Sequence, residues 1–437
     1  MKPNTFHLVS LGCAKNTVDS TTMGRLLTSR GYAFEQDPAK AEVIIVNTCG
    51  FIRPARQEAI ETINELARHK SKKQYLIAAG CMAEKYADEL RAHCKKADAF
   101  LGTRKISQIA RVIESLKSKT PLQSVSLQLD MDRMSQFALQ GSSDYLKIAD
   151  GCSRRCAFCA IPNIKGEWHS RPVDEILKDA AILDEQGVQE LILIAQDTTA
   201  YGIDRGEKDA LPDLLEKIES AAPHIPWIRI LYAFPGFVSE HLIDLMASES
   251  RILPYLDIPL QHAAPSVLKR MLRPDNMESV RKTLEYMRKR MPEMAIRSTF
   301  ITGFPGETEE EFTTLYQFIE AMEFDRVGVF PYYSEKGTPS SAYPDDVPEE
   351  VKLERQEQLY LLQQEISHDI NLRFTGKTMD VLIEGVQEDG ILVGRTYRDA
   401  PEIDGLVFVS GDAEIGSIIP VRITGVLGDY DLAGKAL

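Results

Sequence analysis

Short apolar runs alternate with amphipathic stretches along most of the 437-residue chain, and this alternation limits the folds that are open to it. Residues 1–120 contain three runs of strand-like composition, FHLVSLGC, EVIIVNTC and YLIAAGC, separated by helix-like stretches such as RQEAIETINELARHK. Strands that alternate with helices are typical of parallel sheets. We therefore predict an N-terminal parallel α/β domain over residues 1–120.

The alternation resumes near residue 143 with six strand-like runs: DYLKIADG, ELILIAQD, WIRILYAF, YLDIPLQ, AIRSTFITG and RVGVFPYY. Six such units favour an incomplete (β/α)6 barrel over residues 143–370 rather than a second doubly wound sheet. Residues 121–142 lose the periodicity, and we interpret them as a linker. From residue 371 to 437 the period becomes two across five short runs, which predicts a five-stranded antiparallel β-barrel.

Charge is distributed unevenly along the chain, which carries a net charge of −14. Residues 1–140 hold 21 Lys/Arg against 14 Asp/Glu, whereas residues 141–370 hold 24 against 40 and residues 371–437 hold 6 against 11. Acidic segments repel phosphates, so the last two segments favour a basic protein partner over nucleic acid.

Apolar runs and cysteine content indicate the compartment. No apolar run approaches the roughly 20 residues of a membrane span. The seven cysteines fit a reducing compartment in which thiols remain available as ligands. We expect a cytoplasmic protein without a membrane partner.

The segment GCSRRCAFC places Cys152, Cys156 and Cys159 in C-x3-C-x2-C spacing directly after a predicted strand. Three thiolates on one short loop can bind three irons of a [4Fe–4S] cluster and leave the fourth iron open. A zinc site is the alternative, but structural zinc usually takes four ligands, and the first nearby histidine is His169. The spacing therefore favours an iron–sulfur cluster.

This motif, with Phe158 before the last cysteine, resembles the radical S-adenosylmethionine (SAM) superfamily. The resemblance implies that SAM binds the open iron, that an electron from the cluster cleaves it to a 5′-deoxyadenosyl radical, and that Phe158 lies at the cofactor site. The segment STFITGFPGETEEEF is similar to the superfamily segment beside the adenosyl group, which adds Gly303 and Gly306 as candidates. A capped helix start at Thr308, with Glu311 completing a capping box, also accounts for this segment, and both interpretations can hold together.

Polar residues near the ends of the predicted barrel strands are further candidates for SAM contacts, because active sites of such barrels form at the carboxyl ends. Gln196 and Asp197 end the second strand, and Gln261 and His262 follow the fourth. Arg297 lies within the fifth, where a guanidinium suits the cofactor carboxylate, with a structural ion pair as the alternative. We interpret His262 as structural, and we predict no catalytic residue beyond the cluster ligands.

Three further cysteines, Cys13, Cys49 and Cys81, each directly follow an apolar run, in SLGC, VNTC and AAGC. The gaps of 36 and 32 residues are each near the length of one βαβ unit. Carboxyl ends of neighbouring parallel strands share one edge, so we expect the three thiols to converge. Buried core cysteines without mutual contact are the alternative. Cys94 follows no strand and is interpreted as a non-ligand.

Two cysteine triads, a radical barrel and a small final barrel together resemble the methylthiotransferase family over essentially the whole chain. The resemblance implies an N-terminal cluster domain, a C-terminal TRAM domain, two [4Fe–4S] clusters and two SAM molecules. One SAM would methylate sulfur held by the second cluster, and the other would generate the radical that activates the substrate carbon. An external electron donor and a sulfur source are implied as partners.

The family has two main branches, one acting on a tRNA adenosine and one on an aspartate β-carbon of ribosomal protein number twelve of the small subunit. The segments AIPNIKGEWHSRP, IAQDTTAYG and GRTYRDAPEIDGLVFV resemble the second branch, and the acidic final barrel suits a basic protein. We expect that ribosomal protein to be the substrate, with the loop DAPEID as a contact. The tRNA reaction is the alternative, and a non-catalytic iron–sulfur carrier or scaffold is the rival of another class.

Overall fold

The computed structural model describes residues 3–118, 141–248 and 250–437. The chain forms two compact units, of which the N-terminal unit comprises Met1–Leu139, Gly151–Ser153 and Ala160–Glu167, and the second unit comprises the remainder. The predicted linker over 121–142 lies outside the described residues except for its last two positions. Across the described ranges, no helix combines the length and the apolar character needed to cross a bilayer.

The N-terminal unit is a five-stranded parallel sheet with helices on both faces, as the sequence predicts. Its strands are β1 (Thr5–Ser10), β2 (Ala33–Phe34), β3 (Val43–Thr48), β4 (Tyr75–Gly80) and β5 (Ala99–Gly102), in the order β2-β1-β3-β4-β5. Its helices are α1 (Ala14–Thr28), α2 (Arg53–His69), α3 (Cys81–Lys85), α4 (Ala87–His93), α5 (Ile109–Ser118) and, from a later part of the chain, α6 (Ile161–Lys165), with a 3-10 helix at Thr103–Gln108.

Burial explains why the apolar runs form the middle of this sheet. All six residues of β3 are buried, as expected for a central strand covered on both faces. Helices α1 and α5 pack on one face and α2 on the other, with Leu27 and Ile63 among the buried residues. Strands β2 and β5 escaped prediction because they are two and four residues long, too short to show a period.

The second unit contains an open sheet of six parallel strands in the order β13-β12-β11-β10-β9-β6. These strands are β6 (Ser143–Lys147), β9 (Glu190–Ile194), β10 (Trp227–Ile230), β11 (Ile252–Asp257), β12 (Ala295–Thr302) and β13 (Arg326–Pro331), and a short pair is formed by β7 (Ala149–Asp150) and β8 (His169–Ser170). Neighbours in the sheet follow chain order, as in part of a (β/α) barrel, so the predicted incomplete barrel is confirmed.

Helices separate these strands. They are α7 (Val173–Glu185), α8 (Ala210–Ala221), α9 (Glu240–Met246), α10 (Pro265–Arg270), α11 (Met277–Arg290), α12 (Glu309–Met322) and the exit helix α13 (Glu349–Leu372), with 3-10 helices at Thr198–Ala200, Ile203–Arg205 and Pro339–Ala342. The predicted cap at the start of α12 is confirmed, because the Thr308 side chain accepts the Glu311 N–H and the Glu311 carboxylate accepts the Thr308 N–H.

Five strands close into the predicted C-terminal barrel: β14 (Thr378–Val386), β15 (Leu392–Arg395), β16 (Val407–Ser410), β17 (Ile418–Leu427) and β18 (Asp431–Ala436), in the order β14-β15-β16-β18-β17. The pairing of β16 with β18 is parallel, and the other pairings are antiparallel. Alternating directions cannot close around an odd number of strands, so a five-stranded barrel requires a parallel pair.

Buried ion pairs join the C-terminal barrel to the amino-terminal ends of the six-stranded sheet. Glu190 Oε1 accepts from Arg229 Nε and Glu190 Oε2 from Arg395 Nη2, both at 2.6 Å, and the three side chains are at most 1% exposed. Burial alone would raise the pKa of Glu190, but the two guanidinium groups more than offset it and hold the pKa at about 2. A carboxylate buried this deeply is stable only when both arginines balance its charge. Because Arg229 belongs to the sheet and Arg395 to the barrel, the two ion pairs hold the barrel against the sheet.

Candidate iron–sulfur sites

Cys13, Cys49 and Cys81 lie at the carboxyl ends of β1, β3 and β4, which are adjacent in the sheet. The chain reverses its direction of travel across the sheet between β1 and β3. Ligands of open α/β sheets bind in the crevice at such a switch point, outside the carboxyl ends of the strands. Cys13 and Cys49 therefore stand on either side of the position that this topology reserves for a ligand.

Asn16 connects the three strand ends. Its backbone N–H donates to Cys13 O at 2.7 Å, its Nδ2 donates to Thr48 O at 3.2 Å, and its Oδ1 accepts from Cys81 Sγ at 3.4 Å. The residue is 1% exposed. Sequence reasoning missed it, and the available signal was a polar residue three positions after Cys13 in CAKN.

Gly12 and Gly80, which precede two of these cysteines, permit the close approach of the strands. Their φ angles are +91° and +100°. A Cβ on Gly12 would lie 2.7 Å from Cys49 Cβ, and a Cβ on Gly80 would lie 2.3 Å from Asn47 Oδ1. Both positions therefore require glycine for conformation and for space.

Burial makes the Cys49 and Cys81 thiols weak acids in the absence of metal. Burial raises the pKa of Cys49 to about 11 and that of Cys81 to about 12, and the nearby Cys13 raises both. Lys165 acts in the opposite direction on Cys81. Metal binding to such a site must release protons, and two buried thiols beside the exposed Cys13 thiol are a donor set typical of an iron–sulfur cluster.

Lys165, the last residue of α6, places a cation beside this site. Its Nζ donates to Asp19 Oδ2 at 2.5 Å and to Thr103 Oγ1 at 2.7 Å, and all three residues belong to the N-terminal unit. Ile164 of the same helix packs against Cys81. The helix that follows Cys159 in the sequence thus covers one cysteine of the N-terminal triad.

Among the described residues, no group of three or more His, Cys, Asp or Glu side chains is arranged to hold one metal ion. A cubane cluster is bound through separate irons at its corners, so its ligands need not meet at one point.

The loop that carries Cys152, Cys156 and Cys159 runs from β7 to α6. Cys152 donates its N–H to Gly166 O at 3.0 Å within the N-terminal unit. Residues Arg154–Cys159 belong to the second unit, at the carboxyl ends of its sheet. There the Ala157 N–H donates to Met271 O at 2.8 Å and Ala157 O accepts from the Ser340 N–H at 2.9 Å.

Polar groups surround this part of the loop. Arg154 Nε donates to Asp197 Oδ2 at 2.9 Å, so Asp197 holds the cysteine loop from the end of β9. Phe158 is half-buried beside Phe304 and Tyr332, and Gln196 is half-buried after β9. These positions are compatible with the predicted SAM contacts of Phe158 and Gln196, which remain predictions.

Gln261 takes part in the sheet through its backbone. Its φ is +74°, its N–H donates to Thr299 O at 2.7 Å, and its carbonyl accepts from the Ile301 N–H at 2.8 Å. The strained backbone holds the Gln261 side chain at the carboxyl ends of β11 and β12, where a barrel cofactor binds.

The backbone N–H groups of Gly303 and Gly306 already have partners in the protein. The Gly303 N–H donates to both carboxylate oxygens of Glu307 at 3.0 Å, and the Gly306 N–H donates to Asp346 at 2.7 Å. His262 Nε2 lies 3.3 Å from Glu307, with the imidazole buried, which fits the structural role expected of His262. A SAM contact at either glycine would therefore use its Cα surface or its carbonyl.

Arg297 lies near the amino-terminal end of β12 and forms ion pairs, which were the alternative to a contact with the cofactor carboxylate. Its Nη1 is 3.2 Å from Asp257 and its Nε is 3.3 Å from Asp404 of the DAPEID loop. Asp404 also accepts from the Tyr255 hydroxyl at 2.7 Å. Asp399 is 2% exposed and accepts from Arg326.

The expectation that the DAPEID aspartates contact a substrate is therefore wrong for Asp399 and Asp404. Both carboxylates are neutralised by buried arginines of the six-stranded sheet, which sequence charge counts cannot reveal. Glu402 is the exposed acidic residue of this loop.

The pKa values predict a characteristic alkylation pattern for the cluster-free protein. At pH 8, exposed Cys13 should react with iodoacetamide first, because pKa values of about 11 and about 12 leave Cys49 and Cys81 with about 100-fold and 1,000-fold less thiolate than an ordinary thiol. Labelling of Cys81 should keep increasing up to pH 12. Peptide mass spectrometry measures each site, and equal labelling of the three at pH 8 would contradict the buried geometry.

Three family models match the chain. They are the uncharacterized protein family UPF0004 over residues 5–102, the Radical SAM superfamily over residues 146–319 and the TRAM domain over residues 375–437. Solved structures share the fold: the radical SAM methyltransferase TsrM from Kitasatospora setae covers 78% of this chain and 74% of its own at a TM-score of 0.56 and 14% identity. The match to the cobalamin-dependent S-adenosylmethionine radical enzyme OxsB covers 82% of this chain and 56% of the OxsB chain, with a TM-score of 0.52 and 10% sequence identity.

Relatives match along the full length. A protein named ribosomal protein uS12 methylthiotransferase RimO from Thermoanaerobacter sp. (strain X514) is 45% identical over 434 residues, covering 98% of this chain and 99% of its own. The protein of the same name from Moorella thermoacetica is 42% identical over 431 residues, covering 98% of each.

A radical SAM segment between a strand-end cysteine domain and a TRAM barrel defines a methylthio-transferring enzyme, and as a radical SAM enzyme it uses a [4Fe–4S] cluster and SAM. Identity above 40% over nearly the whole chain then identifies the group: this chain belongs to the RimO family of methylthiotransferases.

Proposed function

We propose that this enzyme adds a methylthio group to the β-carbon of an aspartate in ribosomal protein uS12, using two [4Fe–4S] clusters and two SAM molecules. The observation that carries the proposal is the 42–45% full-length identity to proteins named for that substrate. The segment GRTYRDAPEIDGLVFV, which resembles the ribosomal-protein branch, supports the same choice over tRNA.

Each cluster has its own cysteine triad in this proposal. Cys152, Cys156 and Cys159 hold the cluster whose open iron takes SAM, and Cys13, Cys49 and Cys81 hold the cluster that carries the transferable sulfur. When bound, the clusters supply an electron for SAM cleavage and an attachment point for sulfur.

The residues around the N-terminal triad hold the thiolates in place. Asn16 fixes the three strand ends through its bonds to Cys13 O, Thr48 O and Cys81 Sγ. Lys165 stabilises the thiolate of buried Cys81, because its positive charge lowers the pKa of that thiol. Both functions follow from contacts within one compact unit.

The partner surface is proposed to include the C-terminal barrel. Its exposed carboxylates are Asp380, Glu384, Glu388, Asp389, Glu402, Asp412, Glu414 and Asp429, of which Glu384 also pairs with Arg395. Such a surface attracts a lysine- and arginine-rich protein and repels tRNA phosphates. The electron donor and the sulfur source are external to the chain, and the compartment is the cytoplasm, where ribosomal proteins are found.

A competition between the two substrates tests the proposal. Cluster-loaded enzyme is incubated anaerobically with uS12, tRNA, SAM, sulfide and dithionite, and both products are weighed by mass spectrometry. We expect one methylthio group in place of a hydrogen on a uS12 aspartate and none on tRNA.

The control is Cys159→Ala, which should give neither product nor 5′-deoxyadenosine, because it lacks one ligand of the SAM-binding cluster. A methylthio group on tRNA with unmodified uS12 would show that the enzyme belongs functionally to the other branch.

A further inference from the structure

Arg273 directs its guanidinium group at a proposed cluster ligand. Its Nη1 donates to Cys156 Sγ at 3.6 Å, and its Nη2 donates to Pro259 O. The backbone N–H of Arg273 donates to Leu268 O at 2.9 Å, and this hydrogen bond fixes the turn after α10. Cys156 is 9% exposed, so the contact is shielded from solvent.

The charge of Arg273 is not balanced by a carboxylate. Within the described residues it forms no ion pair with Asp or Glu, and Cys156 is the one side chain that accepts a hydrogen bond from it. Its guanidinium carbon lies 4.3 Å from the centroid of the Phe234 ring. Arg273 is half-buried, and a guanidinium group without a carboxylate partner in such an environment is suited to a negative charge at Cys156.

Arg154 provides the comparison, because it contacts the same ring. Its guanidinium carbon also lies 4.3 Å from the Phe234 centroid, but the buried carboxylate of Asp197 balances its charge. Two cations share one aromatic surface, and only Arg154 has a carboxylate of its own. This difference indicates that the positive charge of Arg273 is balanced by a negative charge on the cysteine loop, at Cys156.

We propose that Arg273 is a positioning residue that raises the reduction potential of the cluster held by Cys152, Cys156 and Cys159. The inference rests on the cluster assignment made under the proposed function and is independent of the substrate. Reduction adds one electron from an external donor to the [4Fe–4S] core. No proton is transferred, and no bond is formed or broken. A fixed cation and an N–H···S bond stabilise the more negative state, which makes the cluster easier to reduce.

The test is a redox titration of a full-length protein that can hold a single cluster. Cys13, Cys49 and Cys81 are replaced together by alanine, and dithionite reduction is followed by the paramagnetic signal of the reduced cluster. In this parent, Arg273→Gln should lower the ratio of reduced to oxidised cluster at a fixed potential by at least tenfold, a shift of about 59 mV to more negative values. Arg273→Lys should recover most of that ratio because it keeps the charge.

An exposed cation of the same unit provides the control. Lys282→Gln removes a positive charge from a side chain that is 71% exposed, and it should change the ratio by less than about threefold because solvent screens that charge. Iron content is measured for every variant, and Arg273→Met replaces the glutamine variant if that protein does not retain iron.

Two results would overturn the inference. An unchanged potential in an iron-replete Arg273→Gln or Arg273→Met variant removes the proposed effect of Arg273 and leaves the proposed function standing. If the parent protein gave no reduced-cluster signal, the assignment of a cluster to Cys152, Cys156 and Cys159 would be wrong. The proposed function and this inference would then both fail.

Discussion

Replacing Cys81 with alanine is expected to abolish methylthio transfer, by more than about 100-fold, while SAM is still cleaved to 5′-deoxyadenosine. The substitution removes one ligand from the triad at the carboxyl ends of β1, β3 and β4 and leaves the C-x3-C-x2-C loop intact. Under the proposed assignment of two four-iron clusters, iron should fall from about eight to about four atoms per chain, because the variant would lose one of them. Iron analysis and chromatography of the products measure both effects.

Cys94 provides the matched control. It is also buried in the N-terminal unit, at 1% exposure, but it follows α4 instead of a strand. Cys94→Ala should therefore keep its iron and its transfer activity. If Cys81→Ala retained as much iron as Cys94→Ala, the N-terminal triad would not hold a cluster.

The substitution Glu190→Gln is expected to lower the free energy of unfolding of the second unit by about 3–5 kcal/mol at pH 7, because it leaves Arg229 and Arg395 buried without their anion. The pH dependence has a definite sign. The pKa of Glu190 is depressed from 4.5 to about 2, so its contribution is present above pH 4.5 and disappears as the pH falls toward 2. The difference in free energy of unfolding between the wild-type protein and the Glu190→Gln variant should therefore decrease as the pH falls from 4.5 toward 2.

Urea unfolding of both proteins at several pH values measures this difference. Glu278→Gln is the control, because the Glu278–Lys282 pair has both side chains 71% exposed and such pairs contribute little. Equal unfolding free energies for Glu190→Gln and Glu278→Gln at pH 7 would show that the buried pairs do not stabilise the unit.

Periodicity and spacing predicted the three-part architecture and the meeting of Cys13, Cys49 and Cys81 at one sheet edge. These features depend on local patterns, since an apolar run marks a strand and parallel strands end together. Contacts between distant segments could not be predicted in the same way. Arg273 reaches Cys156 across 117 residues of sequence, and Lys165 reaches Asp19 across 146.

The acidic residues of the C-terminal barrel show the same limit. Counting charges correctly gave an acidic segment, but the count could not separate the carboxylates that face solvent from those that bind Arg297 and Arg326. Which charges are available to a partner is decided by the packing between segments far apart in the chain.

The discontinuity of the N-terminal unit means that it cannot be released by one cut. A protein ending at residue 118 would keep every strand of its sheet but would lose α6 and Lys165. Asp19 would then be buried without its cation, and Cys81 would lose its cover. Two later segments, Gly151–Ser153 and Ala160–Glu167, thus complete the fold of the N-terminal unit, so a fragment meant to contain this unit alone must include both of them.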